Sequence, residues 1–198
     1  EPAITVTLPL ALRVRGEVPS HLALASPLVL NPTSVRIRGP VNRLAGLDSV
    51  PLVSFDLQSI EQSGRFNVQI DTTGLLSSIV VPALLTLAIH VEDLVVRTLP
   101  GLPVLWDAEG LGSEVVVDPV SIAVQLTGAR TLVTALDPDL VRIRVQLEQL
   151  QGMAEGEERQ VRVGLEGVPD LVTVVLDPDI VTVRRATDQD AGGLRDGT

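Results

Sequence analysis

The sequence predicts an all-β protein made of two tandem small β-domains with short helical turns. The first observation is an alternation of β-branched and polar residues, which recurs at residues 4–8, 35–38, 66–70, 141–145 and 161–165. A period of two gives a strand one buried face and one wet face. The second observation is a set of prolines placed just before such runs. The third is that the pattern returns in the second half of the chain, where the run at 161–165 aligns with the run at 66–70.

Composition limits the functions that this chain can serve. It has 198 residues, a formal net charge of −10 and no cysteine, and its 15 basic residues are all arginine. Without clustered positive charge, nucleic acid is not expected as the main partner. Without cysteine there is no disulfide, thiol nucleophile or cysteine-bound zinc. Phe55, Phe66 and Trp106 are the only aromatic residues, so stacking on bases or sugars has almost nothing to work with.

Helix signals are weak. Asn42 is the best candidate for a capping residue, ahead of residues 43–47, and residues 129–136 are the counterpart in the second half. Both segments predict one or two helical turns. Residues 146–160 contain two glycines and many acids and amides, which predicts a strand end followed by an exposed loop.

The longest apolar stretch, residues 75–91, is interrupted by Pro82. A membrane-spanning helix needs about 20 apolar residues, and a proline in the middle of a helix breaks it. The stretch is therefore interpreted as two buried strands joined at Pro82. The chain starts at Glu1 with no basic segment followed by an apolar one, so we expect a mature or trimmed fragment without a signal peptide.

One sequence element marks the strand starts. A Leu or Val, then Asx-Pro, two residues and an alternating run occur four times, with the prolines at Pro32, Pro119, Pro138 and Pro178; Pro82 belongs to a looser form. Proline fixes φ and lacks an N–H, so it suits a strand entrance better than a strand interior. The Asx side chain can bond the backbone two residues on and close a turn. The element predicts a β-turn that starts a strand.

The order of these elements predicts a duplication. Pro32 recurs as Pro119, and Pro82 recurs as Pro178. Recurrence of the same elements in the same order is the signature of repeated domains. The predicted boundaries are residues 1–95 for the first copy, 96–186 for the second and 187–198 for a flexible tail.

In this order the motifs resemble those of the YbbR-like domain, a family that typically occurs as tandem copies. The first copy carries the pattern in Pro9-Leu10, Asn31-Pro32, Val35, Ile37, Gly39-Pro40, Asp56-Leu57, Gly64 and Pro82. The second copy departs from it, since no proline follows Gly128 and Gln146-Leu147 replaces Asp-Leu. The resemblance covers nearly the whole chain, and its motifs are structural, not chemical.

The resemblance implies a bacterial protein that works outside the cytoplasm. YbbR-like proteins are similar to extracytoplasmic all-β modules held by an N-terminal membrane helix. In the best-understood branch, the protein regulates a membrane-bound diadenylate cyclase that makes cyclic di-AMP. No catalytic residues are assigned in the family, so none is carried over to this chain. A membrane tether would lie upstream of Glu1 or be absent.

The two histidines are weak candidates for chemistry. His21 and His90 lie far apart in the sequence, and a lone histidine without nearby partners rarely makes a site. His90 falls in an apolar run and is expected to be a satisfied structural residue. His21 is expected in a turn.

The sharpest chemical candidate is a set of four acids, Asp137, Asp139, Asp177 and Asp179. Two Asp-Pro-Asp segments could meet and bind a hard cation through oxygen. The twelve-residue calcium loop is missing, and the competing interpretation is that the first Asp of each pair closes its own turn. The second would then face water.

The arginine pairs and the single tryptophan have two interpretations each. The pairs are Arg36/Arg38, Arg142/Arg144 and Arg184/Arg185. They could bind phosphates or carboxylates, but solvated strand faces with cross-strand acid pairing explain them as well. Trp106 could anchor a partner, although a core or half-core position is typical of tryptophan.

These observations favour a non-enzymatic module that binds or regulates a membrane protein, with diadenylate cyclase as the partner implied by the resemblance. We predict no catalytic, cofactor-binding or metal-binding residues, no cofactor and no small-molecule substrate. The alternative is a structural spacer or adhesion-like module of the cell envelope. A cytosolic RNA-binding β-barrel is a third possibility, which the net charge of −10 disfavours.

Overall fold

Strands make up nearly all of the regular structure, as the alternating runs predict. The computed structural model describes residues 2–75, 78–106 and 115–186, so the predicted tail, residues 187–198, lies outside the described residues. The chain divides into two units, Glu1–Leu94 and Val95–Thr198. In its described residues each unit contains one short α-helix and otherwise strands, 3₁₀ turns and loops, and the all-β class is confirmed.

The strands of the first unit are short except for the first. They are β1 (Ala3–Ala11), β2 (Val14–Arg15), β3 (Leu22–Leu24), β4 (Val29–Asn31), β5 (Ser34–Pro40), β6 (Val50–Pro51), β7 (Phe55–Asp56), β8 (Gly64–Val68), β9 (Ile79–Val81) and β10 (Leu85–Ile89), with helix α1 (Val41–Leu44) after β5 and a 3₁₀ turn at Leu57–Ser59. Among the described residues they form a sheet in the order β6-β1-β5-β9, a second sheet in the order β4-β10-β8, and a β2-β7 pair.

The second unit is organised around one continuous sheet. Its elements are the later part of β11 (Val91–Leu105), then β12 (Val115–Asp118), β13 (Ser121–Ala129), α2 (Arg130–Ala135), a 3₁₀ turn at Pro138–Leu140, β14 (Arg142–Val145), a 3₁₀ turn at Leu147–Gln149, β15 (Glu158–Glu166), β16 (Thr173–Asp177) and β17 (Ile180–Arg185). In the described part of the chain the sheet order is β12-β17-β15-β14-β11-β13-β16.

The two units repeat the same strand register around their paired prolines. In the first, β5 and β9 place Arg36 opposite Val81; in the second, β13 and β16 place Ala123 opposite Asp177. The residue after each of these partners, Pro82 or Pro178, follows a cis peptide bond, as do Pro32 and Pro119. Thr86 of β10 pairs with Asn31, and the equivalent pair is Thr182 with Asp118.

Each unit has its own aliphatic core. The alternation of β5 buries Val35 and Ile37 and turns Arg36 and Arg38 outward. Fully buried side chains of the first unit include Ile37, Leu52, Ile60, Leu85 and Leu87, and those of the second include Val117, Ile122, Leu126, Ile143 and Leu150. Burial of this aliphatic area is the main source of stability in both units.

Several local expectations are wrong. Helix α1 includes Asn42, and Pro40 stands at its N-cap position without a side-chain hydrogen bond, so Asn42 is not the cap. In the apolar stretch β10 is buried, but Ile79 and Val81 of β9 are exposed. The reason is that one face of this antiparallel sheet is exposed, on the interior strand β5 as well as on β9, so that alternate residues of each strand face water.

The loop after β14 is not simply exposed. Leu150 and Met153 are both buried in the core, and the Arg159 guanidinium donates to the carbonyl oxygen of Gln149 at 2.9 Å. The sequence pattern did not predict the burial of Leu150 and Met153. Each lies in a segment rich in glycine, acids and amides, where apolar residues are too few to establish a strand or helix period.

The predicted alignment of residues 66–70 with residues 161–165 differs from the structure by two residues. Leu85 pairs with Val68 in the first unit, whereas the equivalent Val181 pairs with Val161. Val68, not Phe66, is therefore the counterpart of Val161. A shift of two keeps every side chain on its face, so the hydrophobic pattern alone could not detect it.

Candidate functional site

A cleft in Val95–Thr198 lies at the ends of two parallel strands. β11 and β14 pair with Leu105 opposite Arg144, which brings Trp106, the residue after β11, close to the Arg144 side chain. The cleft has a volume of about 300 Å³ and is lined by Leu105, Trp106, Arg144, Val145, Gln146, Glu148 and Glu166. Trp106 is 37% exposed and belongs to the exposed large apolar residues, not to those of the core.

An ion pair organises the charge of this cleft. Nε of Arg144 lies 3.2 Å from Oε2 of Glu166, and Glu148 adds a second carboxylate to the lining. An indole face beside a guanidinium–carboxylate pair is suited to holding a side chain or a small polar group.

The first unit carries different residues at the matching positions. There, β1 and β6 run parallel with Leu10 opposite Val50, which corresponds to Val104 opposite Ile143. Counting from these pairs, Leu12 stands where the second unit has Trp106, and Pro51 stands where it has Arg144. Because both units form the same parallel pairing, the strands do not need Trp106 and Arg144 in order to fold.

A second kind of surface is present in both units, on the outer face of strands β9 and β16. Both are terminal strands of their sheets within the described residues. Ile79 of β9 is 66% exposed and Val175 of β16 is 52% exposed. They hold equivalent places, opposite Arg38 and Gln125 respectively. Exposed aliphatic residues on a terminal strand are the kind of surface that binds another chain.

Neither histidine belongs to a site. Both side chains lie on the surface, and Nε2 of His90 is 3.8 Å from Oε1 of Glu92. His90, expected to be a satisfied structural residue in an apolar run, falls between the last residue of β10 and the first residue of β11, and its side chain is exposed.

The four acids are not brought together. Oδ1 of Asp137 accepts a hydrogen bond from the backbone N–H of Asp139 at 3.0 Å, which is the predicted turn closure. Asp179 instead lies 3.9 Å from Nε of Arg162. Within residues 2–75, 78–106 and 115–186, no cluster of three or more metal-ligating side chains occurs.

The arginines of the predicted pairs do not all lie on solvated strand faces. Arg36, Arg38 and Arg142 occupy exposed strand positions, as predicted. Arg185 instead points inward and donates from Nη1 to the carbonyl oxygen of Met153 at 2.8 Å. Its expected place on a solvated strand face is therefore wrong, because the 151–156 loop folds back over the end of β17.

Sequence reasoning missed Arg97 and Arg159, which tie loops and a helix end to the sheet. Nη1 of Arg97 donates to the carbonyl oxygens of Val133 and Leu136. Neither arginine belongs to a pair, and both lie in runs whose alternation is typical of an ordinary wet face. Only the tertiary position of their acceptors gives them a role.

No helix in the described part of the chain is long and apolar enough to cross a membrane. Residues 75–91 instead contain β9 and β10, which agrees with the two-strand interpretation of that stretch.

The fold and its surfaces place the chain in one class, that of tandem all-β modules, with terminal strands and a small cleft among the described residues. No protein-family model and no curated protein sequence matches the chain. It is similar to a YbbR-like protein from Streptococcus pneumoniae, at 15% identity over 93% of this chain and 96% of that one, with a TM-score of 0.44.

Two further solved structures each match about half of the chain. One is the YbbR-like domain of the Listeria monocytogenes protein lmo2119, at 18% identity over 48% of this chain and 95% of that one, with a TM-score of 0.38. The other is SuR18C from Streptococcus thermophilus, at 16% identity over 44% of this chain and 85% of that one, with a TM-score of 0.35. The chain is thus similar to solved YbbR-like domains, as its motifs predict.

Proposed function

We propose that this chain is a non-enzymatic binding and regulatory module displayed outside the cytoplasmic membrane, where it acts on a membrane protein of the diadenylate cyclase class. The observation that carries the proposal is the exposed aliphatic residue on the terminal strand of each unit, Ile79 and Val175. Apolar residues on a terminal strand give a partner chain both apolar contact and an unpaired backbone edge. The sequence motifs of the YbbR-like domain supply the class of partner.

A co-expression experiment tests the regulatory role. The chain is displayed on a heterologous membrane anchor together with the diadenylate cyclase of its source organism, and cyclic di-AMP is measured by mass spectrometry. An unrelated all-β domain of similar size on the same anchor is the control. We expect the nucleotide level to change only with this chain and the cyclase to co-purify with it. Equal levels and no co-purification would contradict the proposal, as would substrate turnover by the purified chain.

The alternative function is a structural spacer or adhesion-like module of the envelope, which the repeated architecture favours. Two exchanges separate the two functions: replacing the second copy with another first copy, and replacing the first copy with another second copy. A spacer keeps its reach and its effect after both. A regulator loses its effect in the exchange that removes the residues it uses, Trp106 and Arg144 of the second copy or Arg36 and Arg38 of the first.

A further inference from the structure

The exposed face formed by β5 and β9 carries more positive charge than the equivalent face of β13 and β16. Arg36 and Arg38 of β5 stand directly opposite Val81 and Ile79 of β9. In the second unit the same places hold Ala123 and Gln125, opposite Asp177 and Val175. Since that unit forms the same antiparallel pair without the two arginines, the strand pairing does not require them.

The two guanidinium groups are available to a ligand. Both side chains are exposed, and within the described residues neither makes a hydrogen bond or an ion pair. Strands β1, β5 and β9 contain no Asp or Glu. This face therefore offers uncompensated positive charge on a protein whose net charge is −10.

The same face offers apolar contact and a free strand edge. Ile79 is 66% exposed, and Val81 is 51% exposed. Across an antiparallel pair, opposing side chains are about 5 Å apart, so each arginine lies beside one of these aliphatic residues. β9 is the last strand of the sheet order β6-β1-β5-β9 among the described residues, so the backbone groups on its outer side are open to a further strand.

We infer that β9 is the docking edge for an extended segment of a partner protein in which aliphatic and acidic residues alternate. The segment would add as a strand beside β9 with its acidic residues on the outer face, where their methylene groups pack on Ile79 and Val81 and their carboxylates reach Arg36 and Arg38. Its aliphatic residues, at the alternate positions, would lie on the opposite face of the sheet. Strand addition supplies affinity through main-chain hydrogen bonds, and alternate side chains supply selectivity. The inference rests on the proposed function, because it assigns the surface through which the module would bind its partner.

An acidic segment fits this surface better than a membrane does. Lipid headgroups cannot continue a ladder of main-chain hydrogen bonds, whereas an extended segment beside β9 can. Carboxylates next to guanidinium groups form charge-assisted hydrogen bonds, for which the planar arginine fork is well shaped.

Titration with a designed peptide tests the inference on the full chain. The probe is a capped peptide of about six residues, the usual strand length, that alternates valine and glutamate. Its control alternates valine and lysine. Two-dimensional amide spectra of the isotope-labelled protein report where each peptide binds. We expect saturable shifts centred on Ile79–Val81 with the glutamate peptide only, and weaker binding as salt is raised.

Substitutions that copy residues of the second unit are expected to fold, so they test binding separately from stability. Arg36→Ala with Arg38→Gln installs the residues that the other copy already carries, and it should weaken peptide binding by about three- to tenfold. Val81→Asp installs the counterpart of Asp177 and should abolish binding by placing a like charge on the edge. Arg65→Ala, an exposed change on β8, should leave binding unchanged.

Several outcomes would overturn the inference. These are equal binding of the lysine peptide, shifts that map away from β9, or no saturable shift up to about 1 mM peptide, the weak end of specific affinity. Shifts at β9 caused only by phosphatidylserine-containing vesicles would identify a membrane surface instead. Concentration-dependent dimers with β9 at their interface would identify a second copy. If the peptide fails while the chain still alters cyclic di-AMP, this surface is refuted and the proposed function stands.

Discussion

The guanidinium of Arg97 on β11 donates to the carbonyl oxygen of Leu136 at 2.9 Å, and the same nitrogen lies 3.1 Å from the carbonyl oxygen of Val133. Both acceptors belong to the C-terminal end of α2, where carbonyl groups have no partner within the helix. A positive charge at this end also interacts favourably with the negative end of the helix dipole. One side chain thus fixes the helix to the central sheet of its unit.

Replacing Arg97 with methionine should destabilise the second unit. The change keeps most of the side-chain volume and removes a charged donor from two carbonyl groups, so we expect a loss of about 1.5–3 kcal/mol in the free energy of unfolding. Urea unfolding followed by the fluorescence of Trp106, the only tryptophan, measures it. Arg65→Met, at an exposed position of β8, is the matched control and should change stability by less than about 0.5 kcal/mol. Equal effects of the two changes would contradict the role of Arg97.

Truncating Leu126 should have a larger effect. This β13 side chain is fully buried, and Leu126→Ala leaves a cavity that the surrounding strands cannot fill. The expected loss is about 2–5 kcal/mol by urea unfolding. Val120→Ala, at a residue that is 66% exposed, should stay within about 0.5 kcal/mol of the parent. A mild effect of Leu126→Ala would mean that this part of the core is not close-packed.

Two glycines separate backbone strain from steric collision. Gly152 and Gly167 both have positive φ, at 75° and 85°. A Cβ on Gly152 would meet no atom within 4 Å, whereas one on Gly167 would collide with the carbonyl oxygen of Leu140. Gly152→Ala should cost about 1–2 kcal/mol, the strain of a left-handed backbone, and Gly167→Ala should cost clearly more. Similar thermal midpoints for the two variants would contradict the close approach to Leu140.

Glu157 should make stability depend on pH. The hydrogen bond from the backbone N–H of Ala154, at 2.8 Å, and then that from Arg159 lower the pKa of Glu157 from its ordinary value of 4.5. A carboxyl group whose pKa is depressed by folding stabilises the folded state above its unfolded pKa, and this contribution is lost as pH falls through the folded value.

We therefore expect Glu157→Gln to be less stable than the parent near neutral pH, and the difference to vanish well below the ordinary carboxyl pKa. Urea midpoints measured across that range check this. Glu155→Gln removes the same charge from an exposed position of the same loop and should produce no such pH-dependent difference. A constant gap between parent and Glu157→Gln at all pH values would show that the carboxylate form is not what the loop stabilises.

The strands themselves could be predicted from the sequence, because their signal is local. The alternation in β5 indicates which residues face the core, and Ile37 and Arg38 lie where it predicts. Proline at a strand entrance is equally local, since it depends only on a missing N–H and a fixed φ. The element at Pro138 is an exception: it has the same sequence pattern but forms a 3₁₀ turn, Pro138–Leu140, before β14 begins.

Long-range contacts could not be predicted in this way. Arg36 and Arg185 lie in similar alternating runs, yet one is exposed and the other donates to Met153. Leu150 and Met153 stand alone in a polar segment, yet both are buried. In each case the deciding atom lies on a segment far along the chain or across a loop, where the local pattern carries no information.

The amino-acid order alone determined that this chain is an aliphatic β-protein repeated twice, because the period of two and the turn chemistry of proline act within a few residues. Tertiary structure alone decided which strands end the sheets. That choice leaves β9 at the end of its sheet among the described residues, next to the exposed face that carries Ile79, Val81, Arg36 and Arg38. It depends on contacts between segments that are far apart in the chain.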